Sequence, residues 1–203
     1  MVINDFHGEY FFLSNFSESP LYYNGKLWPT VEHAFQAAKV DEDTANKILV
    51  APTPGAAKRL GRTGTLIFKD WDVRRYNVMK QCLLRKFLTD EVLLNKLLAT
   101  GDAELIEGNT WHDNAWGDCS CEKCKNKPGA NMLGKLLMEI REKARNYQYV
   151  FAVETADSDH NSSIKGYFKT YADAANDVVV RKDWGDDEYC VPDDKHILII
   201  ELE

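Results

Sequence analysis

The sequence predicts a mainly α, α+β fold: a compact helical domain with a small N-terminal sheet, followed by a small αβ appendage. Three observations predict it. Apolar residues recur at helical spacing through Trp71–Phe87 and Asn131–Arg145. Asn24-Gly25 sits between two short aromatic runs, as a two-residue hairpin turn requires. Beyond Arg145 the chain becomes β-prone and acidic: residues 1–145 sum to +1 and residues 146–203 to −8. The expected division is a main domain over 1–145 and an acidic extension over 146–203.

The elements follow in order. Tyr10–Phe16 is aromatic and apolar and reads as a short strand ending in a turn. Tyr22–Trp28 reads as two strands about Asn24-Gly25. Thr30 caps a helix running to Lys39. Asp43–Val50 is a second helix, stopped by Pro52 and Pro54. Gly55–Leu60 is a short third helix ending at Gly61. Trp71–Phe87 is a long amphipathic helix, with Val78, Leu83, Leu84 and Phe87 on its apolar face. Asp90 caps Glu91–Thr100, and Gly101 follows as a stop. Gly101–Ala130 collects Gly, Asn, Asp, Cys and Pro and reads as loop. Asn131–Arg145 turns Leu133, Leu136, Leu137 and Ile140 inward. In the extension, Tyr147–Glu154 and His196–Glu203 are β-prone, Asp157–Ser163 reads as a mobile loop, and Thr170–Val180 is helical.

Composition narrows the function classes. The chain has 203 residues, of which 44% are hydrophobic and 28% charged, as in a soluble globular protein. No apolar run approaches the ~18 residues of a membrane span. Met1–Asp5 lacks the basic and apolar stretches of a signal peptide. Five Cys, three of them within Cys119–Cys124, argue against a secreted disulfide scaffold and for a reducing cytoplasm. Residues 58–86 hold nine Lys or Arg against only Asp70 and Asp72, an excess that suits an anion site or a solvated helix face. Neither G-x-x-x-x-G-K-[ST] nor G-x-G-x-x-G occurs, so those phosphate loops are excluded.

Three groups of residues can carry chemistry. Glu32, Gln36 and Lys39 lie at i, i+4 and i+7 on one helix face, opposite Ala34, Ala37 and Ala38. Such a stripe is either a solvated edge or the wall of a pocket. The loop Asn109–Gly117 holds Trp111, His112, Asp113, Asn114 and Trp116, a set that suits a base or sugar ring or a plugged, capped turn. Cys119, Cys121 and Cys124 form C-x-C-x-x-C, part of a zinc site that needs four ligands. His112, Asp118, Cys82 and Cys190 are available to complete it. There is no second Cys pair, so the ligand set reads as incomplete. The expectation is three reduced thiols, dispensable for catalysis, with no metal and no cofactor.

Ordered motifs then resemble a known family. They are Phe12–Phe16, Trp28-Pro29-Thr30-Val31-Glu32-His33-Ala34-Phe35-Gln36-Ala37-Ala38-Lys39, Ala57–Arg62 with Trp71, Asp113-Asn114-Ala115-Trp116-Gly117, and Gly129–Met138. Together they resemble the NADAR family, also called YbiA-like or RibX-like, over roughly residues 6–145. The resemblance implies a mainly helical N-glycosidase that cleaves a bond between ribose C1′ and nitrogen and requires no metal. Implied substrates are phosphoribosylamino-pyrimidine intermediates of riboflavin synthesis and ADP-ribose attached to guanine in nucleic acid. A non-catalytic module binding ADP-ribose or a nucleotide is the alternative. The extension lies outside the family pattern and suits a protein partner; no membrane is involved.

Residue types then suggest roles. Departure of the leaving nitrogen gives the ribosyl centre oxocarbenium character, which a carboxylate stabilises or relieves by activating water. Glu32 and Asp113 are the expected carboxylates, and the helix dipole favours an ionised Glu32. Lys39 either forms a Schiff base with an opened ribose or binds phosphate. Arg62 suits phosphate, and Trp28, Trp71 and Trp116 suit packing on base or ribose. Asn15, Phe16, Gln36, Gly117 and Asn131 complete the expected substrate-binding set.

Overall fold

The computed structural model describes residues 1–156, 162–175 and 197–202. The fold is α+β and mainly helical, as expected. Helices α1 (Val31–Ala37), α2 (Glu42–Leu49), α3 (Pro54–Thr63), α4 (Trp71–Leu88), α5 (Glu91–Ala99) and α6 (Met132–Arg145) surround one apolar core, and residues 171–175 add a further helical turn.

α1 is the central helix, and α2, α3 and α4 all pack on it. The Thr30 hydroxyl caps it by accepting from the His33 amide at 3.3 Å. All seven of its residues are buried, Glu32 and Gln36 among them. The polar stripe is therefore no solvated edge. His33 is held on both sides, by the Thr30 hydroxyl at Nδ1 and the Ala51 carbonyl at Nε2. It is a satisfied core histidine.

Small strands frame the helices. β1 (Val2–Ile3) pairs in parallel with β4 (Glu104–Leu105). β2 (Leu21–Tyr23) and β3 (Lys26–Trp28) form the hairpin, with Asn24 and Gly25 both at positive φ as its turn demands. β5 (Gly108–Asn109) pairs in parallel with β6 (Asp118–Cys119), fastening two points of the long loop.

Three expectations are corrected. Tyr10–Phe16 is not a strand: Gly8–Leu13 forms a 3-10 turn. Gly8 takes φ +54 there, and Tyr10 and Ser14 amides donate to the His7 and Phe11 carbonyls. Aromatic β-propensity loses to these local bonds and to burial of Leu13. α3 does not stop at Gly61 but runs on to Thr63. The glycine is an approach point for α1 rather than a terminator. Part of the expected mobile loop is strand: β8 (Ser162–Phe168) pairs with β7 (Tyr149–Ala156), and β9 (Ile197–Glu201) lies on the other side of β7. The Asp, Asn and Ser content reads as loop, and cross-strand pairing of Ser162 and Ser163 overrides it at that end. Residues 157–161 lie outside the described residues; of the expected helix Thr170–Val180, residues 171–175 are helical and the rest lies outside them.

The C-terminal sheet packs on the main body. Tyr149, Phe151, Val153 and Ile197 enter the same buried cluster as Leu83, Phe87, Leu137 and Ile140. Glu201 pairs with Lys80 of α4 at 2.7 Å and with Lys143 of α6. Each buried apolar side chain lost exposes surface worth about 1.5–3 kcal/mol. Deleting residues 146–203 is thus expected to lower the melting temperature and solubility. Turnover per soluble molecule should survive, because the cavity described below is built from residues before 117. Thermal denaturation beside a specific-activity assay checks both halves. Among the described residues no helix is long and apolar enough to cross a membrane.

Candidate active site

A cavity of about 190 Å³ opens between α1, α3, α4 and the loop that follows β4. α1 contributes Glu32, Phe35 and Gln36, with Lys39 just past its end. α3 contributes Lys58 and Arg62, one turn apart on one face. α4 contributes Trp71, Arg75 and Met79, also at helical spacing. Asn15 and Phe16 enter from the turn after the 3-10 segment, and Glu107, Asp113 and Trp116 from the loop.

Each wall is held from behind. Buried Lys86 of α4 donates to the Ser14 carbonyl at 2.8 Å and the Ser17 hydroxyl at 2.7 Å, fixing the turn that presents Asn15 and Phe16. Burial pulls the Lys86 ammonium down to about 7. Asn15 reaches the Met79 sulfur at 3.5 Å. Phe35 packs against Trp71 at 5.3 Å, tilted by 51°, and edge-on to Trp116 at 5.4 Å, giving an aromatic wall of three angled rings. The Lys58 ammonium lies 5.5 Å from the Phe16 ring centre.

The polar wall centres on Glu32. Its Oε1 accepts from Gln36 Nε2 at 2.9 Å, so the i, i+4 pair forms inside the cavity. The dipole expectation is corrected here. Burial is the largest influence on Glu32 and pushes its carboxyl up, opposed by Lys58, by the Gln36 bond, and by Lys39 and Arg62. The cations and the Gln36 bond favour its charge against that burial. Burial likewise pulls the Lys39 ammonium down; Glu32 opposes this, while Arg62 and Lys58 add to it.

Glu107 is the carboxyl that sequence reasoning missed. Burial and the charge of Asp113 push it up to about 7, with Glu32 adding and Lys58 opposing. It sits in irregular chain, where no periodicity flags it. Lys58, Arg75, Met79 and Phe35 were missed as well. Lys58 was one turn from Arg62 within a quoted motif, so helical spacing was the available signal. Asp113 does double duty: its Oδ1 accepts from the Ala115 and Trp116 amides at 3.1 and 2.9 Å, and so shapes the turn presenting Trp116.

Three expected binding residues stand elsewhere. Trp28 is buried in the core and donates from its indole nitrogen to the Tyr23 carbonyl at 2.8 Å. Asn131, at φ +47, accepts from the Glu107 amide at 3.1 Å and donates to the Leu105 carbonyl at 2.8 Å. It holds Glu107 from behind. At Gly117 a Cβ would lie 2.1 Å from the Glu107 carbonyl oxygen, so the glycine permits a close backbone crossing.

Gly61 gives the site a sharp test. A Cβ there would lie 2.2 Å from Gln36 Oε1 and 2.7 Å from Gln36 Cβ. The second contact involves the root of a buried side chain and cannot rotate away. Gly61→Ala is expected to push α3 off α1, cost about 1–3 kcal/mol as overpacking does, and lower kcat at least ~10-fold by displacing the Gln36–Glu32 pair. Denaturant titration and steady-state kinetics check it.

The expectation of an incomplete metal-ligand set is also corrected. His112, Cys119, Cys121 and Cys124 bring one ligand atom each to within 4.8 Å of one another. Of the four residues available to complete the set, it is His112 that joins the thiols, through a left-handed backbone at φ +69. Asp118 instead accepts from the Gly129 amide, Cys82 is buried in α4, and Cys190 lies outside the described residues.

Comparison with known proteins agrees with this architecture. The chain is 41% identical over 138 residues to an N-glycosidase of Nostoc punctiforme, covering 66% of this chain and 85% of that one. It is 40% identical over 141 residues to the N-glycosidase YbiA of Escherichia coli, covering 68% and 82%. A riboflavin biosynthesis protein of Vibrio vulnificus is 35% identical over 162 residues, which span 79% of this chain and 42% of that protein. The NMR structure of Escherichia coli YbiA superposes with a TM-score of 0.60 at 38% identity, covering 71% of this chain and 86% of YbiA. The family model for the NADAR domain matches residues 4–145, a span that contains every residue of the cavity wall. With the fold, the cavity and these matches in agreement, the chain belongs to the NADAR domain family.

Proposed function

We propose that the protein is an N-glycosidase that hydrolyses the bond between ribose C1′ and nitrogen in a phosphate-bearing nucleotide. The observation that carries this reading is a buried carboxylate, Glu32, in a cavity with a cationic side and an aromatic side. Lys39, Lys58 and Arg62 suit a phosphate, and the Phe35–Trp71–Trp116 wall suits a base or ribose face. The names of the relatives support the reaction class.

Two carboxyls divide the work. Lys58, Lys39 and Arg62 favour the charge of Glu32, and as a carboxylate it stabilises the developing oxocarbenium ion and orients the attacking water. Glu107, pushed up to about 7, keeps its proton near neutrality and delivers it to the leaving nitrogen. Water adds to C1′, its proton leaves through the carboxylate, and the base departs neutral. Asp113 keeps the loop in register and raises Glu107 by its charge. Lys39 holds phosphate as an ammonium.

Phosphoribosylamino-pyrimidines are the favoured substrate class, supported by the riboflavin-biosynthesis names of two relatives, from Vibrio vulnificus and Zea mays. ADP-ribosylated guanine is the second class, and the acidic extension disfavours close approach of a long nucleic-acid backbone. Incubating the full chain with each substrate and separating the products tests this. Free pyrimidine base at higher kcat/KM than free guanine supports the reading. Tight binding with no base released from either would make the protein a binding module.

A further inference from the structure

The strongest feature outside the cavity is the cluster His112, Cys119, Cys121 and Cys124. A single tetrahedral ion with Zn–S near 2.3 Å and Zn–N near 2.05 Å needs N···S edges of about 3.6 Å and S···S edges of about 3.8 Å. Here His112 Nδ1 lies 3.1 Å from Cys121 Sγ and 3.5 Å from Cys124 Sγ, and no pair of ligand atoms in the cluster exceeds 4.8 Å. These separations suit one ion rather than a polynuclear cluster. Three thiolates and an imidazole are a soft set, which selects zinc over the hard cations that prefer oxygen.

The backbone around the cluster is built to hold these positions. β6 and its pairing with β5 fix Cys119. The Asn114 side chain accepts from the Cys119 amide at 2.9 Å, and the His112 amide donates to Cys119 Sγ at 3.3 Å. The Cys124 and Lys125 amides both donate to the Cys121 carbonyl at 2.9 Å, closing the C-x-x-C turn around the ligand position. His112 sits at φ +69, a conformation that costs energy for a residue with a side chain and persists only where its surroundings demand it. The ligated set would carry one net negative charge, and Lys123, Lys125 and Lys127 stand beside it in the chain.

We propose that His112, Cys119, Cys121 and Cys124 bind one structural Zn²⁺ that pins the loop carrying Asp113 and Trp116 into the cavity wall. Binding replaces three thiol protons, which leave to solvent, with three Zn–S bonds; no redox step is involved. All four protein ligands are used, so the ion is closed to substrate and takes no part in the reaction. Its effect on turnover is through position: His112 adjoins Asp113, and the segment from His112 to Cys119 becomes a loop tied at both ends.

The test uses the full chain, purified under reducing conditions without added metal. Elemental analysis is expected to give one zinc per chain. Exchange with Co²⁺ is expected to give thiolate-to-metal charge-transfer absorption and the visible bands of a tetrahedral site. His112→Ala and Cys121→Ser are expected to lose that one-to-one stoichiometry, and chelation of the wild type to lower its melting temperature. If a variant fails to fold, the wild-type cobalt spectrum alone still decides. Zinc well below one per chain with no charge-transfer band on Co²⁺ titration, or a disulfide among the three cysteines in the protein as isolated, would overturn the proposal.

Discussion

Glu32→Gln is expected to lower kcat at least ~100-fold while substrate still binds. The substitution keeps the shape of the side chain and the hydrogen bond from Gln36, which needs only an oxygen acceptor. It removes the negative charge that the transition state meets at C1′. A loss of ~100-fold is the lower end of what a positioned acid or base contributes. Binding should hold or tighten, because Lys39, Lys58 and Arg62 lose their internal counter-charge and become freer for phosphate. Stability should hold or rise, since a buried charge is removed. A split in which kcat collapses and Kd does not is specific to a catalytic carboxylate. Normal kcat at saturating substrate would remove Glu32 from the mechanism.

Glu107→Gln is expected to cost ~100-fold in kcat at neutral pH and to abolish the alkaline fall in activity near pH 7. Glutamine cannot deliver a proton to the leaving nitrogen. The same substitution carries a stability signature of opposite sense. The folded-state pKa of Glu107, about 7, lies above its ordinary value of 4.5. Between those values the native state holds a proton that the unfolded chain has released. Stability therefore falls as pH rises from 4.5 to about 7, and the loss is complete above that. The span corresponds to about 3 kcal/mol at most, before relaxation and water entry reduce it. The Gln variant escapes this loss, so it should be more stable than wild type at pH 8 and nearly equal to it at pH 4. Denaturant titrations at the two pH values check this. A variant destabilised equally at both, with its pH–rate profile unchanged, would assign Glu107 a merely structural role.

Much of this site was legible in the sequence, for a physical reason. Glu32, Gln36 and Lys39 follow a Thr cap on a regular helix, and a regular helix converts spacing into direction. Trp71 and Arg62 were legible through the family motifs and their side-chain chemistry rather than through spacing. Trp28, equally aromatic, is buried in the hairpin instead, because an indole serves a core as well as a binding face. Glu107 and the His112 cluster lie in irregular chain, where the backbone path depends on distant contacts. Asn131 positions the Glu107 amide from 24 residues away, and a positive φ turns His112 toward thiols 9 and 12 residues on. Neither effect leaves a local pattern. Gly61 misled because a glycine near a helix end reads as a stop, whereas here its missing Cβ makes room for Gln36. Composition marks the acidic charge of residues 146–203, while the packing of Tyr149 and Phe151 into the shared core depends on tertiary partners.

The central claim is that this cavity breaks a C1′–N bond rather than merely holding a nucleotide. A proton NMR time course of the anomeric H1′ resonance tests it most directly, with a phosphoribosylamino-pyrimidine as substrate. Full-length wild type is expected to convert the glycosidic H1′ signal into those of free ribose 5-phosphate, with one base released per sugar. Glu32→Gln should leave the glycosidic signal in place, broadened by binding. A wild-type sample in which that signal is broadened but never converted would contradict the account.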